Sequence, residues 1–144
     1  LLEKTPEELE ARWAAMPDKI RAHKLKDLVK LGAESHYVYV ALERLSRMCR
    51  DLELALETNQ WAVTNNYSLA DALLTAYFYR IECLGLSVLW ERRYPKTTSW
   101  YSRVKARESF STATAPWLDE EAVRKISKVG KETFLAHSKF IDFL

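Results

Sequence analysis

Residues 67–84 read YSLADALLTAYFYRIECL, and this stretch decides the fold. The Ser68 hydroxyl is placed to accept a hydrogen bond from the N–H of Asp71, while the Asp71 carboxylate reaches back to the N–H of Ser68, which is the capping box that starts many helices. The helix that follows, from Leu69 to about Leu84, is apolar almost all the way round and cannot present a wide polar face to water. We therefore predict that it is the central helix of an all-α domain.

The segment before this stretch also has helical patterning. Apolar residues recur at steps of three and four over residues 35–58, which predicts a long amphipathic helix. Nearer the N-terminus, Thr5 and Pro6 predict the start of a helix that Pro17 ends. A second, basic helix then runs to Gly32, so the first 32 residues are expected to form a helical hairpin.

The segment after residue 84 contains three further helix signals. Pro95 opens a helix, Phe110 lies in a short turn, and Asp119 caps a last helix or pair of helices in which Gly130 is expected to mark a break. Gly and Pro are scarce, at three and four residues, and no segment alternates like a half-buried strand. Together these patterns predict a single all-α domain, a helical bundle, over residues 1–144.

Composition excludes several classes of protein. The net charge is only +2, so no global field draws the molecule to nucleic acid. No apolar run reaches the roughly 20 residues that span a bilayer, and no signal peptide is visible, which favours a cytoplasmic protein without a membrane partner. Cys49 and Cys83 are expected to be reduced core residues. His23, His36 and His137 lie on different predicted helices, so no metal site is expected.

Residues 67–117 resemble the C-terminal helical domain of the glutathione S-transferase superfamily. The matching stretches, in order, are Tyr67-Ser68-Leu69-Ala70-Asp71, Tyr79-Arg80-Ile81-Glu82, Leu84-Gly85-Leu86 and Tyr94-Pro95, followed by Trp100, Arg103, Arg107 and Ser109-Phe110. The sequence departs from the family pattern at Asn65-Asn66, where a Gly-Asp or Gly-Glu pair is usual, and at Glu108, which replaces a Pro.

The resemblance implies that the intact protein has two domains with different roles. In the family, the capping box of Ser68 and Asp71 orients the central helix and has no catalytic role. An N-terminal thioredoxin-like domain activates the thiol of glutathione, the co-substrate, and the intact proteins are commonly homodimers. That domain is absent from this chain. We therefore expect the chain alone to be inactive, with no catalytic, cofactor-binding or metal-binding residue of its own.

The segment Glu3 to Gly32 resembles an insertion in the bacterial β-aryl-etherase-like branch of the superfamily. This likeness implies that the intact protein uses glutathione to conjugate, or to cleave by thiolysis, an electrophilic aromatic substrate. The chain would then supply the hydrophobic substrate pocket, the scaffold and dimer contacts.

Three residues are candidates for the walls of that pocket. His36 and Tyr37 begin the long helix and could line an apolar pocket with a few polar groups. Trp117 stands where the family's tail folds over the substrate opening. Ordinary packing is the competing interpretation for all three.

A different class of function is a non-catalytic protein-interaction module of the same fold. It is supported by a run of basic residues with no intervening acid: Arg92, Arg93, Lys96, Arg103, Lys105 and Arg107. A local positive patch would suit a docking role. The competing interpretation is a solvated helix face whose basic residues bond carbonyls or pair with distant acids.

Overall fold

The computed structural model describes residues 5–117, 119–137 and 140, and within them it contains helices and no strand. This confirms the predicted all-α class. Short 3₁₀ turns lie at Gly32–Glu34 and Ala115–Trp117. The α-helices are α1 (Pro6–Ala14), α2 (Lys19–Leu31), α3 (His36–Ala55), α4 (Leu69–Cys83), α5 (Val88–Glu91), α6 (Pro95–Lys105), α7 (Glu108–Thr114) and α8 (Glu120–Ala136).

The contacts of the chain divide it into two compact units, Leu1–Leu42 and Glu43–Leu144. The first contains the predicted helical hairpin. Leu9 and Trp13 of α1 pack with Ala22 of α2 in a small buried core. The prediction of a single domain is not decided by this division and stays a prediction.

The second unit has an aromatic core centred on Phe78 of α4. The Phe78 ring lies 4.9 Å from Trp90, 5.2 Å from Trp100 and 5.6 Å from Tyr101, measured between ring centroids. All four side chains are buried. Because aromatic pairs in tilted and edge-to-face geometry add to the energy of area burial, this cluster anchors α4 to α5 and α6.

The start of α6 is capped from another helix. Pro95 occupies the first turn, where its missing N–H costs nothing. The next two amide groups, of Lys96 and Thr97, donate to the two carboxylate oxygens of Glu53 in α3 at 3.0 and 2.8 Å. A carboxylate at a helix N-terminus satisfies free N–H groups and meets the positive end of the helix dipole. Glu53 therefore ties α3 to α6.

Helix α8 runs without interruption through Gly130, so the predicted break there is wrong. The reason for the glycine is packing. A Cβ atom at Gly130 would collide with the carbonyl oxygen of Leu84, at the end of α4. Gly130 is thus the point at which α8 approaches the backbone that follows α4, and the missing side chain permits the contact.

Helix α4 has faces with different surroundings. Asp71 and Phe78 are completely buried. Leu69, Leu73 and Tyr77, spaced four residues apart, are 75%, 60% and 63% exposed. We call these three residues the α4 stripe. The core face of α4 is therefore buried, as its apolar pattern predicts, while the α4 stripe is exposed to solvent.

Candidate functional site

The buried carboxylate of Asp71 connects three parts of the second unit. One oxygen accepts from the Ala62 N–H and from the Trp100 indole N–H, both at 2.8 Å. The other accepts from the N–H and the hydroxyl of Ser68, both at 2.9 Å. The capping box is present, and the same carboxylate also fixes the loop before α4 and the middle of α6.

These hydrogen bonds decide the ionisation of Asp71. Burial alone would raise its pKa. The four bonds from Ala62, Trp100 and Ser68 act in the opposite direction and prevail, so the pKa lies below its ordinary value. Asp71 is thus a structural anion held by donors rather than a proton donor or acceptor for chemistry.

Two arginines of the family-like motif stack on aromatic rings near this cluster. The Arg107 guanidinium lies 3.8 Å from the centroid of the Tyr67 ring and 5.6 Å from that of Trp61. Arg103 lies 5.5 Å from the Trp61 centroid and donates to the Gln60 carbonyl at 2.6 Å. Both are within the range of cation–π attraction. The stack therefore holds the loop before α4 against α6 and the residues after it.

A groove of about 520 Å³ lies between α4, α6 and α7. Among the described residues, the aromatic side chains of Tyr67, Tyr79 and Phe110 line it, together with the small side chains of Ala72 and Ala76. We call this cavity the aromatic groove. The Tyr79 and Phe110 rings are nearly perpendicular, with centroids 5.6 Å apart. The lining surface is mostly apolar, and the cavity is of the size that accepts small ligands.

The polar groups around the aromatic groove are mostly engaged by the protein. The hydroxyls of Thr75 and Thr114 donate to carbonyls of their own helices at 2.6 and 2.8 Å. Burial raises the pKa of Tyr79, and a hydrogen bond with Cys83 raises it further. The Tyr79 phenol therefore stays protonated at neutral pH and is not a general base.

The two cysteines differ in burial. Cys49 is fully buried, and burial raises the pKa of its thiol to about 12. Cys83 is half-buried beside Tyr79. Both are free thiols. Cys49 is a core residue as predicted, whereas Cys83 is only partly covered.

His36 and Tyr37, two of the predicted pocket residues, are not among the side chains that line the aromatic groove. His36 is exposed and Tyr37 half-buried, with ring centroids 6.2 Å apart, and Lys24 lies 5.4 Å above the Tyr37 ring. The side chain of Trp117 lies outside the described part of the chain. A substrate-binding role for these three residues stays a prediction.

Tyr67, Tyr79 and Phe110 belong to the family-like stretches of the sequence, and none of them is predicted from the sequence to bind a ligand. A usable signal was present in α4. Ala72, Ala76 and Tyr79 follow at steps of four and three and share one helix face. Two small residues followed by an aromatic ring on an otherwise bulky helix indicate space next to that face.

The predicted basic patch is largely neutralised or stacked. Lys96 pairs with Glu57 at 3.1 Å and Lys105 with Glu82 at 2.7 Å. Arg103 bonds a carbonyl, and Arg107 stacks on Tyr67. The interpretation that these residues bond carbonyls and pair with distant acids therefore describes Lys96, Arg103 and Lys105, and the support for a docking patch is weaker.

The family of the chain follows from its sequence matches. The family model described as glutathione S-transferase, C-terminal domain, matches residues 12–108, about two thirds of the chain, which include the capping box, the Phe78 core and the arginine stack. The chain belongs to the glutathione S-transferase family. The match covers the C-terminal domain of that family and confirms the resemblance seen in the sequence.

This glutathione S-transferase domain is also similar to a curated protein of Sphingobium chlorophenolicum named tetrachloro-p-hydroquinone reductive dehalogenase. The two are 32% identical over 111 residues, which is 77% of this chain and 42% of the relative. The chain thus spans less than half the length of this relative. No solved structure gives a significant match.

Two further findings concern the described part of this glutathione S-transferase C-terminal domain. None of its helices is long and apolar enough to cross a membrane. No group of three or more His, Cys, Asp and Glu side chains in it is arranged to hold a metal ion.

Proposed function

We propose that this chain is the substrate-side and scaffold domain of a glutathione transferase that attacks an electrophilic aromatic substrate with the glutathione thiol. The observation that carries the proposal is the family match over residues 12–108. Family membership alone does not establish a reaction, because one fold serves several activities. The substrate class therefore needs separate support.

Support for an aromatic substrate comes from two sources. The relative is named for a chlorinated hydroquinone, an aromatic ring with leaving groups. The second unit of this chain has an apolar groove lined by Tyr67, Tyr79 and Phe110. An aromatic ring that carries a leaving group is the class of electrophile on which a thiolate can displace that group, by conjugation or by thiolytic cleavage.

The thiolate itself would come from a thioredoxin-like domain outside this chain. In the family that domain holds glutathione, and the described residues here form no strand from which such a domain could be built. We assign no residue of this chain to glutathione. The α4 stripe of Leu69, Leu73 and Tyr77 supports a partner domain, since three large apolar side chains on one helix face gain stability when they are covered.

The remaining parts of the proposal follow the family. We propose that the intact protein is a cytoplasmic homodimer and that this chain has no transferase activity by itself. The non-catalytic interaction module is the less supported alternative. It depended on the basic patch, in which Lys96 and Lys105 are paired with acids.

The test is to capture the native protein from its source with an antibody raised against this chain. Its intact mass would be compared with the 16.8 kDa of the chain, and its glutathione-dependent consumption of tetrachloro-p-hydroquinone and p-chloronitrobenzene would be measured. We expect a mass larger by about 9 kDa or more, the size of one further small domain, and turnover that the chain alone lacks. A native protein of the chain's own mass, without turnover, would exclude the enzyme.

A further inference from the structure

We propose that the aromatic groove binds an aromatic anion, such as a phenolate, with Arg107 as the group that recognises its charge. This inference rests on the proposed function for the class of substrate. It goes further by assigning a site within this chain and a charge requirement for the ligand. Neither the family match nor the name of the relative assigns these residues.

The shape of the groove suits a flat ring. Its volume of about 520 Å³ holds a small aromatic molecule. Ala72 and Ala76 leave space beside α4, and the nearly perpendicular rings of Tyr79 and Phe110 offer both a face and an edge. An aromatic ligand can stack on one ring and meet the edge of the other, the two geometries that aromatic pairs prefer.

The charge of Arg107 is the second observation. Lys96 and Lys105 pair with carboxylates, whereas Arg107 forms no ion pair with any residue in the described part of the chain. Its Nε is buried without a hydrogen-bond partner, and its guanidinium lies on the ring of Tyr67, which lines the groove. A guanidinium that stacks on a lining residue of an apolar cavity, and that pairs with no carboxylate of the described residues, favours a ligand with an anionic oxygen.

A second groove of about 440 Å³, between α3 and α4, lacks this combination. It has arginines as well, Arg44 and Arg47, but its lining also includes Asp51 and contains no aromatic ring from the residues that the structure describes. Arg47 is further paired with Glu43 at 3.9 Å. The aromatic groove is therefore the better site for an aromatic anion.

The aromatic groove is also separate from the α4 stripe. On a helix of 3.6 residues per turn, the mean direction of Ala72, Ala76 and Tyr79 lies about a quarter of a turn from that of Leu69, Leu73 and Tyr77. One face can therefore hold a small ligand while the other is covered by a protein domain. This separation provides a matched control for mutagenesis.

The experiment titrates the 144-residue chain with p-nitrophenolate and, as a neutral analogue of similar shape, nitrobenzene, and follows backbone amide shifts by NMR. We expect p-nitrophenolate to bind about tenfold more tightly, because only it can form a charge-assisted bond with Arg107. The shifted amides should be those of Ala72, Ala76 and Phe110. Equal affinity for the two probes, or shifts confined to the α4 stripe, would overturn the inference.

Three variants separate the effect of cavity shape from that of charge, and a fourth is the control. Ala76→Leu reduces the cavity and should weaken both probes at least tenfold. Arg107→Gln should weaken p-nitrophenolate about tenfold and leave nitrobenzene unchanged, while Arg107→Lys should restore part of the preference. Leu73→Ala, on the stripe, should change neither. If Arg107→Gln weakens both probes equally, the role of its charge is refuted.

Circular dichroism and melting curves establish that each variant is folded before its affinity is compared. Arg107→Lys keeps the inference testable if Arg107→Gln does not fold, because loss of the charge preference in the lysine variant would also contradict it. Failure of the native protein to use glutathione would remove the proposed enzyme and leave these affinities standing. Turnover without binding in the groove would remove only this inference.

Discussion

Helices α1 and α4 both begin with a capping box, and the two boxes differ in burial and in the hydrogen bonds that they form. At α1, the Glu8 carboxylate accepts from the Thr5 N–H at 2.9 Å and the Thr5 hydroxyl accepts from the Glu8 N–H at 3.3 Å, on an exposed surface. At α4, the Asp71 carboxylate is completely buried. It accepts from Ser68 and also from Ala62 and Trp100.

The difference shows that a capping box can have either a local or a tertiary role. The Thr5 box satisfies amide groups that water could also reach, so its loss leaves little unpaired. The Ser68 box places an anion in the core. Its loss would leave buried donors without partners, which lowers the free energy of unfolding much more. The motif fixes where each helix starts, and burial decides its contribution to stability.

The largest expected effect is that of Asp71→Ala. The substitution leaves the Trp100 indole N–H and the amides of Ala62 and Ser68 without their acceptor. We expect a loss of about 3–5 kcal/mol in the free energy of unfolding, measured by urea titration with tryptophan fluorescence. Glu8→Ala is the matched control and should cost well under about 1 kcal/mol. Equal losses in the two variants would break the distinction between the boxes.

Acid should reduce the part of the stability that depends on the Asp71 carboxylate. Because the pKa of Asp71 is lowered in the folded state, its stabilisation is complete above the ordinary aspartate pKa and is lost as the pH falls through the folded-state value. We expect the free energy of unfolding to fall in this acidic range for the wild type and less steeply for Asp71→Asn. Parallel pH profiles for the two proteins would contradict the assigned role.

Trp100→Phe tests the tertiary part of the Asp71 network alone. The phenyl ring keeps most of the contact with Phe78, while the indole N–H that donates to Asp71 is lost. We expect a cost of about 2 kcal/mol from the lost bond and the smaller ring. A double-mutant cycle with Asp71→Ala, which removes the acceptor, should give a coupling energy above about 0.5 kcal/mol. Strict additivity would mean that the bond contributes nothing.

The sequence predicted the local half of this cluster and missed the tertiary half. Ser68 and Asp71 are three residues apart, so their meeting follows from helix geometry. Trp100 comes 29 residues after Asp71. Local periodicity cannot predict which buried indole forms a hydrogen bond with which carboxylate. The prediction of a break at Gly130 is wrong for a related reason. A glycine in a helical pattern marks either a break or a close contact, and only the position of Leu84 shows that it is a contact.

The candidate site was less predictable than the helices. Phe110 and Tyr79 lie on different helices and come together only through the packing of α7 on α6 and α4. The prediction of His36 and Tyr37 as pocket residues depends on their position at the start of a helix. That position places them along one element and does not show which other element faces them. Cavities arise between elements, so their lining depends on tertiary packing.

Ser68→Ala removes the hydroxyl donor at the buried box. Asp71 keeps its bonds from Ala62, Trp100 and the Ser68 amide, so we expect a loss of only about 1 kcal/mol. Thermal melting is a sufficient measurement. Ser68→Thr retains a hydroxyl and should recover most of the loss. An unchanged melting temperature in Ser68→Ala would show that the carboxylate alone provides the cap.

Thr5→Ala is expected to have the smallest effect, about 0.5 kcal/mol, and a local one. The Thr5 box lies at an exposed helix end, where opening costs little free energy in any case. Hydrogen exchange should therefore report the change better than global unfolding. Faster exchange is expected at the Glu8 amide, which donates to Thr5, with no change at the amides of α4. Thr5→Ser should exchange like the wild type. If Thr5→Ala instead lowered global stability as much as Ser68→Ala, exposure would not be what separates the two boxes, and the α1 cap would need a role beyond its own first turn.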